Sequence, residues 1–391
     1  MRLRQPKVET AVPWGTARDR AAAAPALAPV RLPLAAARGT VLAAPLYARS
    51  DLPACDTAAM DGYAVAGPGP WVVIGRVLPG RCGPRALSRG EAVEIGTGAA
   101  VPSGAGAVLP YERAARAGDE VAGLAEPGRH VRRRGEECAA GTAVLPEGAV
   151  LTPAALGLAA SLGHDAVTVR PRPRVAALIT GDEIVQSGPS GPGRTRDAVG
   201  PLLPGLVDWA GGTLAPPIQV PDRRDELTAA LAGAPDASGV DVVTVCGASS
   251  RGPADHLRGV LREAGAELLV EGVACRPGHP QLLARMPGGP LVVGLPGNPY
   301  AALVAALTLL VPALAGLTGR VRRSERAHLD GEVAAHAGDT RLIPVRRTAN
   351  GVAPVDHVRP ALLWGAAVAD AIAVIPATGA ANGVELLPLP G

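Results

Sequence analysis

The chain has 391 residues, of which 48% are hydrophobic and 19% are charged, and its formal net charge is +3. This length predicts two to four domains, and this composition excludes a disordered polyelectrolyte. The near balance of charge, without a long basic block, argues against nucleic-acid binding. Five widely spaced cysteines without a CxxC pair predict neither a zinc site nor a disulfide framework, and they fit a reducing, cytoplasmic compartment.

The first part of the chain predicts one helix followed by a β-rich region. The segment MRLRQPKVET has no apolar stretch, so we expect no signal peptide, and an alanine-rich stretch at residues 17–28 predicts the first helix. Residues 29–127 are short apolar runs broken by Gly and Pro, which is typical of a β-rich domain. The predicted strands are Trp71–Val77, Glu91–Ile95 and Ala107–Pro110. Residues 128–169 then predict the strand Ala143–Leu145 and the helix Pro153–Leu162.

Residues 174–316 alternate continuous apolar runs with helical stretches, which indicates a buried, largely parallel α/β sheet. The predicted strands are Val175–Ile179, Asp241–Val245 and Leu291–Val293. The predicted helices are Gly200–Ala210, Arg224–Ala232, His256–Ala264 and Ala301–Leu310. The apolar run that continues to Leu317 contains Pro312 and is short for a membrane span, so we interpret it as a buried helix.

After Gly319 we predict no further helix, and the pattern of short strands and turns indicates a small β domain. Its predicted strands are Arg341–Arg346, Ile372–Ile375 and Val384–Leu387.

The sequence GLPGNPY at residues 294–300 has the composition of a ligand-binding loop between a strand and a helix. Its glycines would let a ligand approach the backbone, and Pro299 suits the first turn of a helix. Asn298 is a candidate helix cap, and the free N–H groups of the helix start would face an anion such as phosphate.

A second loop of this kind, CGASSRGPAD at residues 246–255, follows another predicted strand. Ser249, Ser250 and the backbone N–H groups of this loop could bind phosphate, while Asp255 would lie near a cation. Loops at the carboxyl ends of strands in one sheet line one crevice. We therefore expect residues 246–255 and 294–300 to share a site.

Several further polar residues follow predicted strands, and each has a structural alternative. Glu183 in TGDE could help hold a cation, or it could simply be solvated. Asp61 precedes Gly62 and could ligate a cation, although an Asp-Gly pair is above all a turn signal. Thr97 could bind a ligand oxygen or belong to an ordinary loop, and Asp222 could cap a helix.

The segment RPGHP at residues 276–280 is short, rigid and cationic, which suits an anionic ligand. Arg276 offers a bidentate guanidinium, whereas a histidine such as His279 carries charge only part of the time near neutral pH. A structural loop is the alternative. Since the chain has no Walker A or G-x-S-x-G motif, we expect a phosphate-and-cation site built from carboxylates and glycine loops.

Eight segments occur along the chain in this order: DTAAMDGYAV, GTGAAVPSGAGAV, GRHVRRRGEE, TGDEIV, RDAVGPLL, GASSRGPADHL, RPGHP and GLPGNPYAALV. Together they resemble the MoeA family of molybdopterin molybdenumtransferases, which is also found as the E domain of gephyrin. The resemblance covers residues 5–390, and eight motifs in order are far more specific than any one of them. It implies an enzyme of molybdenum cofactor biosynthesis that inserts molybdate into adenylylated molybdopterin, with Mg²⁺ dependence and release of AMP.

The resemblance also implies a multidomain, elongated subunit of the α/β plus β class that forms a homodimer. Domain I would comprise residues 1–28 and 128–169, and domain II the β-rich residues 29–127. Domain III, residues 170–317, would be a MogA-like three-layer α/β domain, and domain IV, residues 318–391, a small β-barrel. The active site would lie between domain III of one subunit and domain II of the other. A MogA-like adenylyltransferase and molybdoenzymes would be its protein partners, with no role for nucleic acid or a membrane.

Carried over residue by residue, the family's site positions fall on three groups of residues in this chain. The implied catalytic residues are Asp61, Glu183, Asp255, Arg276 and His279. The implied molybdopterin-binding residues are Thr97, Gly247, Ser249, Ser250, Gly252, Pro296, Gly297, Asn298 and Pro299. The implied ligands of Mg²⁺ are Glu183, Asp222 and Asp255.

The chain departs from the family pattern in several of these segments. Arg276 and His279 stand where the family usually has lysines, and Glu137 stands where it usually has Asp. Val199 replaces the Asn of RDSN, and Pro360 stands where a Ser is expected. Two alternatives to an active transferase therefore stay open, namely a non-catalytic molybdopterin-binding or scaffolding relative and another nucleotide-phosphate enzyme such as an adenylyltransferase.

Overall fold

The computed structural model describes residues 11–81, 86–236, 239–247, 249, 255–321, 324–356, 359–380 and 383–390. The chain folds into two compact units. The larger unit is drawn from residues 1–30, 39–41 and 170–391, and the smaller unit from residues 31–38 and 42–169. The division into four domains that the resemblance implies stays a prediction.

A seven-stranded, mostly parallel sheet lies at the centre of the larger unit. Its strands have the order Thr213–Leu214, Arg174–Thr180, Val242–Cys246, Leu291–Leu295, Leu282–Arg285 and Glu267–Val270, with Ile218–Val220 paired to Arg174–Thr180. The first four strands and Ile218–Val220 pair in parallel, whereas the last two pairings are antiparallel. The predicted α/β sheet is therefore confirmed, and its three predicted strands are all present with slightly different bounds.

Helices cover both faces of this sheet. In the strand Arg174–Thr180, odd-numbered apolar residues pack with the helices Leu203–Ala210 and Pro299–Thr318. The even-numbered ones pack with the helices Arg224–Asp236 and Leu257–Glu263. Because side chains alternate between the two faces of a strand, the sheet is the middle of three layers.

The helix Pro299–Thr318 is buried in the core of the larger unit and extends beyond its predicted end at residue 310. A π-helical turn, Ala306–Leu310, ends two residues before Pro312, and this wider turn accommodates a residue that cannot donate a backbone hydrogen bond. By length and composition alone, this is the one candidate membrane span among the residues that the structure describes. Its apolar window has a mean hydropathy of 2.1, and 94% of that window is buried inside the protein.

The first helix runs from Trp14 to Ala22, whereas residues 17–28 were expected to be helical. It ends early because Pro25 disfavours helical backbone at the residue before it. The indole Nε1 of Trp14 donates a hydrogen bond of 3.1 Å to Oγ1 of Thr308, which ties this helix to the buried one.

The C-terminal strands belong to a second, mixed sheet of the larger unit. Its order is Val12–Pro13, Val273–Arg276, Thr340–Arg347, Ala371–Ile375, Val384–Pro388 and Glu325–Ala327, with Val352–Pro354 paired to Thr340–Arg347. The small C-terminal barrel is not confirmed, because strands from two earlier parts of the chain complete this sheet. The short helix Trp364–Ala367 also corrects the expectation that no helix follows Gly319.

The smaller unit is rich in short strands, as predicted. Its main sheet has the order Ala114–Ala117, Glu120–Gly123, Trp71–Val77, Glu91–Ile95, Gly62–Val65 and Ala107–Pro110. The other paired strands of the chain are Thr57–Ala58 with Val131–Arg132, Leu46–Tyr47 with Ala143–Leu145, Ile184–Val185 with Thr195–Arg196, and the set Val30–Pro33, Ala166–Arg170 and Val41–Leu42. Short 3₁₀ turns lie at Leu34–Ala36 and Tyr111–Arg113. The helix Pro153–Ser161 begins at the predicted proline and is capped by Thr152, whose hydroxyl accepts from the Ala155 N–H at 3.2 Å.

Candidate functional site

Three loops meet at the carboxyl end of the parallel sheet in the larger unit. They follow the neighbouring strands Arg174–Thr180, Val242–Cys246 and Leu291–Leu295, which are in register at this edge. The N–H of Gly247 donates to the carbonyl of Leu295 at 3.0 Å, so the second and third loops begin side by side. This is the edge at which open α/β sheets bind ligands.

A cavity of 290 Å³ lies between these loops. Its lining residues are Thr180, Gly181, Glu183, Asp222, Gly247, Ser249, Asp255, Pro280, Pro296, Gly297 and Asn298. The expectation that residues 246–255 and 294–300 line one crevice is therefore confirmed. We call this space the carboxylate cavity. Ser250 and Gly252, which the resemblance places in the same loop, lie outside the described residues.

Gly247 brings two loop backbones close together. Its φ is +104°, a conformation that favours glycine, and a Cβ atom at this position would overlap Oγ1 of Thr180. That hydroxyl is itself fixed, since it donates to the carbonyl of Cys246 at 3.1 Å. The cavity is therefore lined at this point by the backbone of Gly247, because a side chain there would overlap Thr180.

Acidic residues cluster on one side of the carboxylate cavity. The N–H of Asp182 donates to Oδ2 of Asp222 at 3.3 Å, and the N–H of Asp222 donates to Oδ1 of Asp182 at 3.2 Å. Burial raises the pKa of the Asp222 carboxyl, and the nearby charges of Glu183 and Asp182 raise it further. The hydrogen bond from the Asp182 N–H and the proximity of His256 act in the opposite direction. A partly buried carboxylate such as Asp222, beside the exposed carboxylates of Asp182 and Glu183, forms an environment that a cation would stabilise.

This acidic cluster fits Mg²⁺ only as a partial set of ligands. Within the described ranges, no three His, Cys, Asp or Glu side chains are grouped so that they could hold a metal ion. Mg²⁺ is commonly held by one or two carboxylates together with phosphate oxygens of a substrate, and this pattern suits Glu183, Asp222 and Asp255 around an open cavity. The Mg²⁺ site stays a prediction.

Ser249 presents a buried hydroxyl to the cavity. Its side chain belongs to a residue that is 1% exposed, and its Oγ has no hydrogen-bond partner in the part of the chain that the structure describes. Its carbonyl accepts from Nη1 of Arg258 at 2.6 Å, which fixes the backbone at this point. Because buried hydroxyl groups are nearly always paired, an oxygen of a bound ligand is the expected partner.

The start of the helix Pro299–Thr318 differs from our expectation. The N–H groups of Tyr300 and Ala301 donate to the carbonyl of Pro360 at 3.0 and 3.4 Å, so they do not face an anion. Asn298 occupies the N-cap position, but its side chain makes no capping hydrogen bond. Sequence patterns missed this arrangement because Pro360 comes from a distant part of the chain. Pro299 begins the helix, as predicted, and the side chain of Asn298 stays available to the cavity.

A second cavity, of 270 Å³, adjoins the first, and Pro280, Pro296 and Asn298 line both. Its other lining residues are Cys275, Arg276, Pro277, Gly278, His279, Ala301, Asp339 and Pro360. We call this space the arginine cavity. Nε of Arg276 donates to Oδ2 of Asp339 at 2.7 Å, and the side chain of His279 is exposed. Asp339 was not anticipated from the sequence, because no local pattern connects two residues so far apart in the chain.

Asp61 and Thr97 lie together in the smaller unit, whereas the residues that line the two cavities belong to the larger unit. Oδ1 of Asp61 accepts from the Thr97 N–H at 2.7 Å and from the Thr97 hydroxyl at 2.9 Å. These two hydrogen bonds lower the pKa of the Asp61 carboxyl, the backbone bond more than the hydroxyl bond. The sequence indicated each residue separately, and the structure joins them as a pair.

Two protein-family models match the chain. The model of the MoeA N-terminal region, domains I and II, matches residues 12–163, and the model of a probable molybdopterin binding domain matches residues 176–316.

The chain is similar to curated proteins named molybdopterin molybdenumtransferase. Molybdopterin molybdenumtransferase 2 of Mycobacterium tuberculosis is 37% identical over 305 residues, which cover 73% of this chain and 74% of the relative. Molybdopterin molybdenumtransferase of Nostoc sp. is 33% identical over 329 residues, which cover 76% of this chain and 73% of the relative.

Two solved structures of the molybdopterin biosynthesis MoeA protein from Pyrococcus horikoshii share the fold. One is 27% identical, with a TM-score of 0.78, and the match covers 98% of this chain and all of the other. The second is 23% identical with a TM-score of 0.76, and it covers 97% of this chain. The chain belongs to the MoeA family of molybdopterin molybdenumtransferases.

Proposed function

We propose that this chain inserts molybdate into adenylylated molybdopterin with release of AMP, a step of molybdenum cofactor biosynthesis. The curated relatives described above are named as transferases, which favours an enzyme over a non-catalytic scaffold. The observation that carries the proposal is the pair of adjoining cavities, because one offers carboxylates and a buried hydroxyl and the other offers the guanidinium of Arg276, held by Asp339, beside the imidazole of His279. Such a pair suits a phosphate-containing substrate beside a second oxyanion.

The carboxylate cavity would hold the pyrophosphate of the adenylylated substrate. Gly247 and Gly297 let the backbone approach it, and a Cβ at Gly297 would come within 3.9 Å of the Gly247 Cα. Ser249 would donate its hydroxyl, which has no partner among the described residues, to a phosphate oxygen, and the side-chain amide of Asn298 could donate a second bond. Ser250 and Gly252 are proposed to contribute from the same loop.

Glu183, Asp222 and Asp255 are the candidate residues, of which one or two would hold Mg²⁺ together with phosphate oxygens of the substrate. When bound, the ion would withdraw charge from the pyrophosphate oxygens and so ease the departure of AMP. The protein holds the carboxylates close together. Burial and the nearby charges of Glu183 and Asp182 raise the pKa of Asp222, so this arrangement disfavours the ionised form unless a cation is bound.

The arginine cavity would receive molybdate. Arg276 keeps a permanent positive charge, whereas a histidine such as His279 adds charge only in its protonated form. Both residues line the space next to the carboxylate cavity, so an oxyanion held there would lie close to the substrate. Molybdate and tungstate present the same oxygens to these groups, so binding should be compared for both.

Asp61 and Thr97 are proposed as further catalytic and binding residues on the family resemblance alone. The homodimer, the cytoplasmic location, a MogA-like adenylyltransferase as supplier of the substrate and molybdoenzymes as recipients of the product are proposals of the same kind. Substitution of Asp61 by Asn, which keeps the size of the side chain, would test its part in the reaction.

The experiment that tests the proposed function follows AMP release by the purified protein given adenylylated molybdopterin, Mg²⁺ and molybdate. We expect AMP to accumulate only when both ions are present. Glu183→Gln should slow release by roughly tenfold or more, since a charge-assisted contact in the site is lost.

Asp208→Asn is the matched control for loss of one carboxylate. Asp208 is 76% exposed, pairs with Arg172 and does not line either cavity. This variant should release AMP at the wild-type rate. Tight binding of the substrate without any release of AMP would contradict the proposed function and favour the scaffold alternative.

A further inference from the structure

Arg276 and Asp339 are brought together by strand pairing within the second sheet of the larger unit. The strands Val273–Arg276 and Thr340–Arg347 run in parallel, with Cys275 opposite Thr340. Asp339 immediately precedes the second strand, so its carboxylate lies beside the side chain of Arg276. The resulting bond, from Nε to Oδ2 at 2.7 Å, joins an Arg276 side chain that is 62% exposed to an Asp339 side chain that is 19% exposed.

Asp339 is held more firmly than its partner. Its N–H donates to the carbonyl of His336 at 3.2 Å, and the two residues form a β-bridge that closes a tight turn. Nδ1 of His336 lies 3.3 Å from the same carboxylate oxygen. The less mobile carboxylate therefore fixes the more exposed guanidinium, rather than the reverse.

The bond uses Nε of Arg276 and leaves both terminal nitrogens for another partner. Across the described residues, Nη1 and Nη2 of Arg276 make no hydrogen bond to the protein. These two nitrogens form the end of the planar fork that binds oxyanions in a bidentate manner. Both Arg276 and Asp339 line the arginine cavity, so the fork is held at a place where an anion can enter.

We propose that Asp339 is a positioning residue that orients the guanidinium of Arg276 toward the oxyanion substrate. The inference rests on the proposed function, because it takes the arginine cavity as the place where molybdate binds. Its prediction for anion binding is the opposite of the one that simple electrostatic repulsion would give. A carboxylate near an anion site should weaken anion binding through repulsion, whereas a carboxylate that orients the binding group should strengthen it.

The test compares Asp339→Ala and Asp339→Asn by AMP release at increasing molybdate concentration. Asp339→Ala should raise the molybdate concentration at half-maximal rate about tenfold, the effect expected for loss of one well-oriented charge-assisted bond, with little change in kcat. Asp339→Asn should recover most of that loss, because its amide oxygen still accepts from Nε of Arg276.

A double-mutant cycle shows whether Asp339 acts through Arg276. Arg276→Ala should raise the half-maximal molybdate concentration at least as much as Asp339→Ala does, and the double variant should be no worse than Arg276→Ala alone. Glu325→Ala is the control, since it breaks the exposed Glu325–Arg347 pair of the same sheet and should leave molybdate dependence unchanged.

Tighter molybdate dependence in Asp339→Ala would overturn the inference, and so would independent, additive effects in the double variant. Titration of each variant with molybdate alone, followed by calorimetry, separates this inference from the proposed function. A wild-type protein that binds molybdate but releases no AMP would contradict the proposed reaction and leave the positioning role measurable. A wild-type protein that binds no molybdate would overturn the positioning role itself.

Discussion

The hydroxyl of Ser249 is buried and has no hydrogen-bond partner among the described residues. A buried hydroxyl without a partner costs free energy in the folded protein, and a phosphate oxygen would remove that cost on binding. The sequence suggested Ser249 because the serine-rich loop follows a strand, but it could not show that the hydroxyl is unpaired.

We predict that Ser249→Ala separates stability from ligand binding. The free energy of unfolding should stay within about 0.5 kcal/mol of wild type or rise, because Oγ of Ser249 makes no hydrogen bond to the described residues. Affinity for adenylylated molybdopterin should fall roughly tenfold, as expected for one lost hydrogen bond to a charged group. Thermal unfolding and a ligand titration measure the two effects.

Thr244→Val is the matched control for Ser249→Ala. The hydroxyl of Thr244 is buried in the same sheet and donates to the carbonyl of Ala176 at 3.2 Å. Its removal should lower stability while leaving ligand affinity unchanged. If Ser249→Ala instead lost stability and kept its affinity, the hydroxyl would have a structural role.

Asp222 makes stability depend on pH in the direction opposite to most carboxylates. The pKa of its carboxyl is raised in the folded protein, so the folded state binds the proton more tightly than the unfolded state. The free energy of unfolding therefore falls as the pH rises from 3.8, the ordinary pKa of an Asp, through the pKa of the folded state. We predict that Asp222→Asn raises Tm at neutral pH without Mg²⁺, and that this gain shrinks as the pH approaches 3.8. An equal gain at every pH would show that the effect is not due to the charge.

At the scale of elements, the edge of the parallel sheet depends on glycine at position 247. We predict that Gly247→Ala costs on the order of 2 kcal/mol or more, since the new methyl group meets Thr180 Oγ1 and φ is positive. The same change should abolish AMP release because the two loops would move apart. Tm and initial rates measure both effects.

Gly157→Ala provides the comparison for this backbone change. Gly157 lies in the helix Pro153–Ser161, and a Cβ there has nothing within 4 Å. This variant should be more stable than wild type by about 0.5–1 kcal/mol, because alanine favours helix. A Gly247→Ala protein with unchanged Tm would mean that the loops can adapt.

Three strands of the parallel sheet could be predicted because each is a largely apolar run that is followed within two residues by Gly. The convergence of their loops followed from the rule that parallel strands end at one edge. The remaining strands of the same sheet, among them its two-residue and edge strands, were not predicted. The cap on the helix Pro299–Thr318 could not be predicted, because the carbonyl of Pro360 replaces the expected anion from a remote segment. The Arg276–Asp339 pair escaped prediction for the same reason, since it depends on which strands pair in the second sheet.

At the scale of the whole molecule, the larger unit places a cavity lined by three carboxylates beside a cavity that contains the Arg276–Asp339 ion pair and His279. This pairing of a carboxylate-lined space with a fixed guanidinium is what distinguishes a site for two anions from a simple phosphate loop, because one anion needs a cation partner and the other a guanidinium. The C-terminal residues take part directly, through Asp339 and Pro360.

The measurement that tests the central claim most directly is the molar ratio of molybdenum bound to molybdopterin against AMP released in a single turnover. The purified wild-type protein, given adenylylated molybdopterin, Mg²⁺ and molybdate, should yield equal amounts of the two products, and Glu183→Gln should lower both together. AMP release without incorporated molybdenum would show a hydrolase rather than a molybdenumtransferase and would contradict the account.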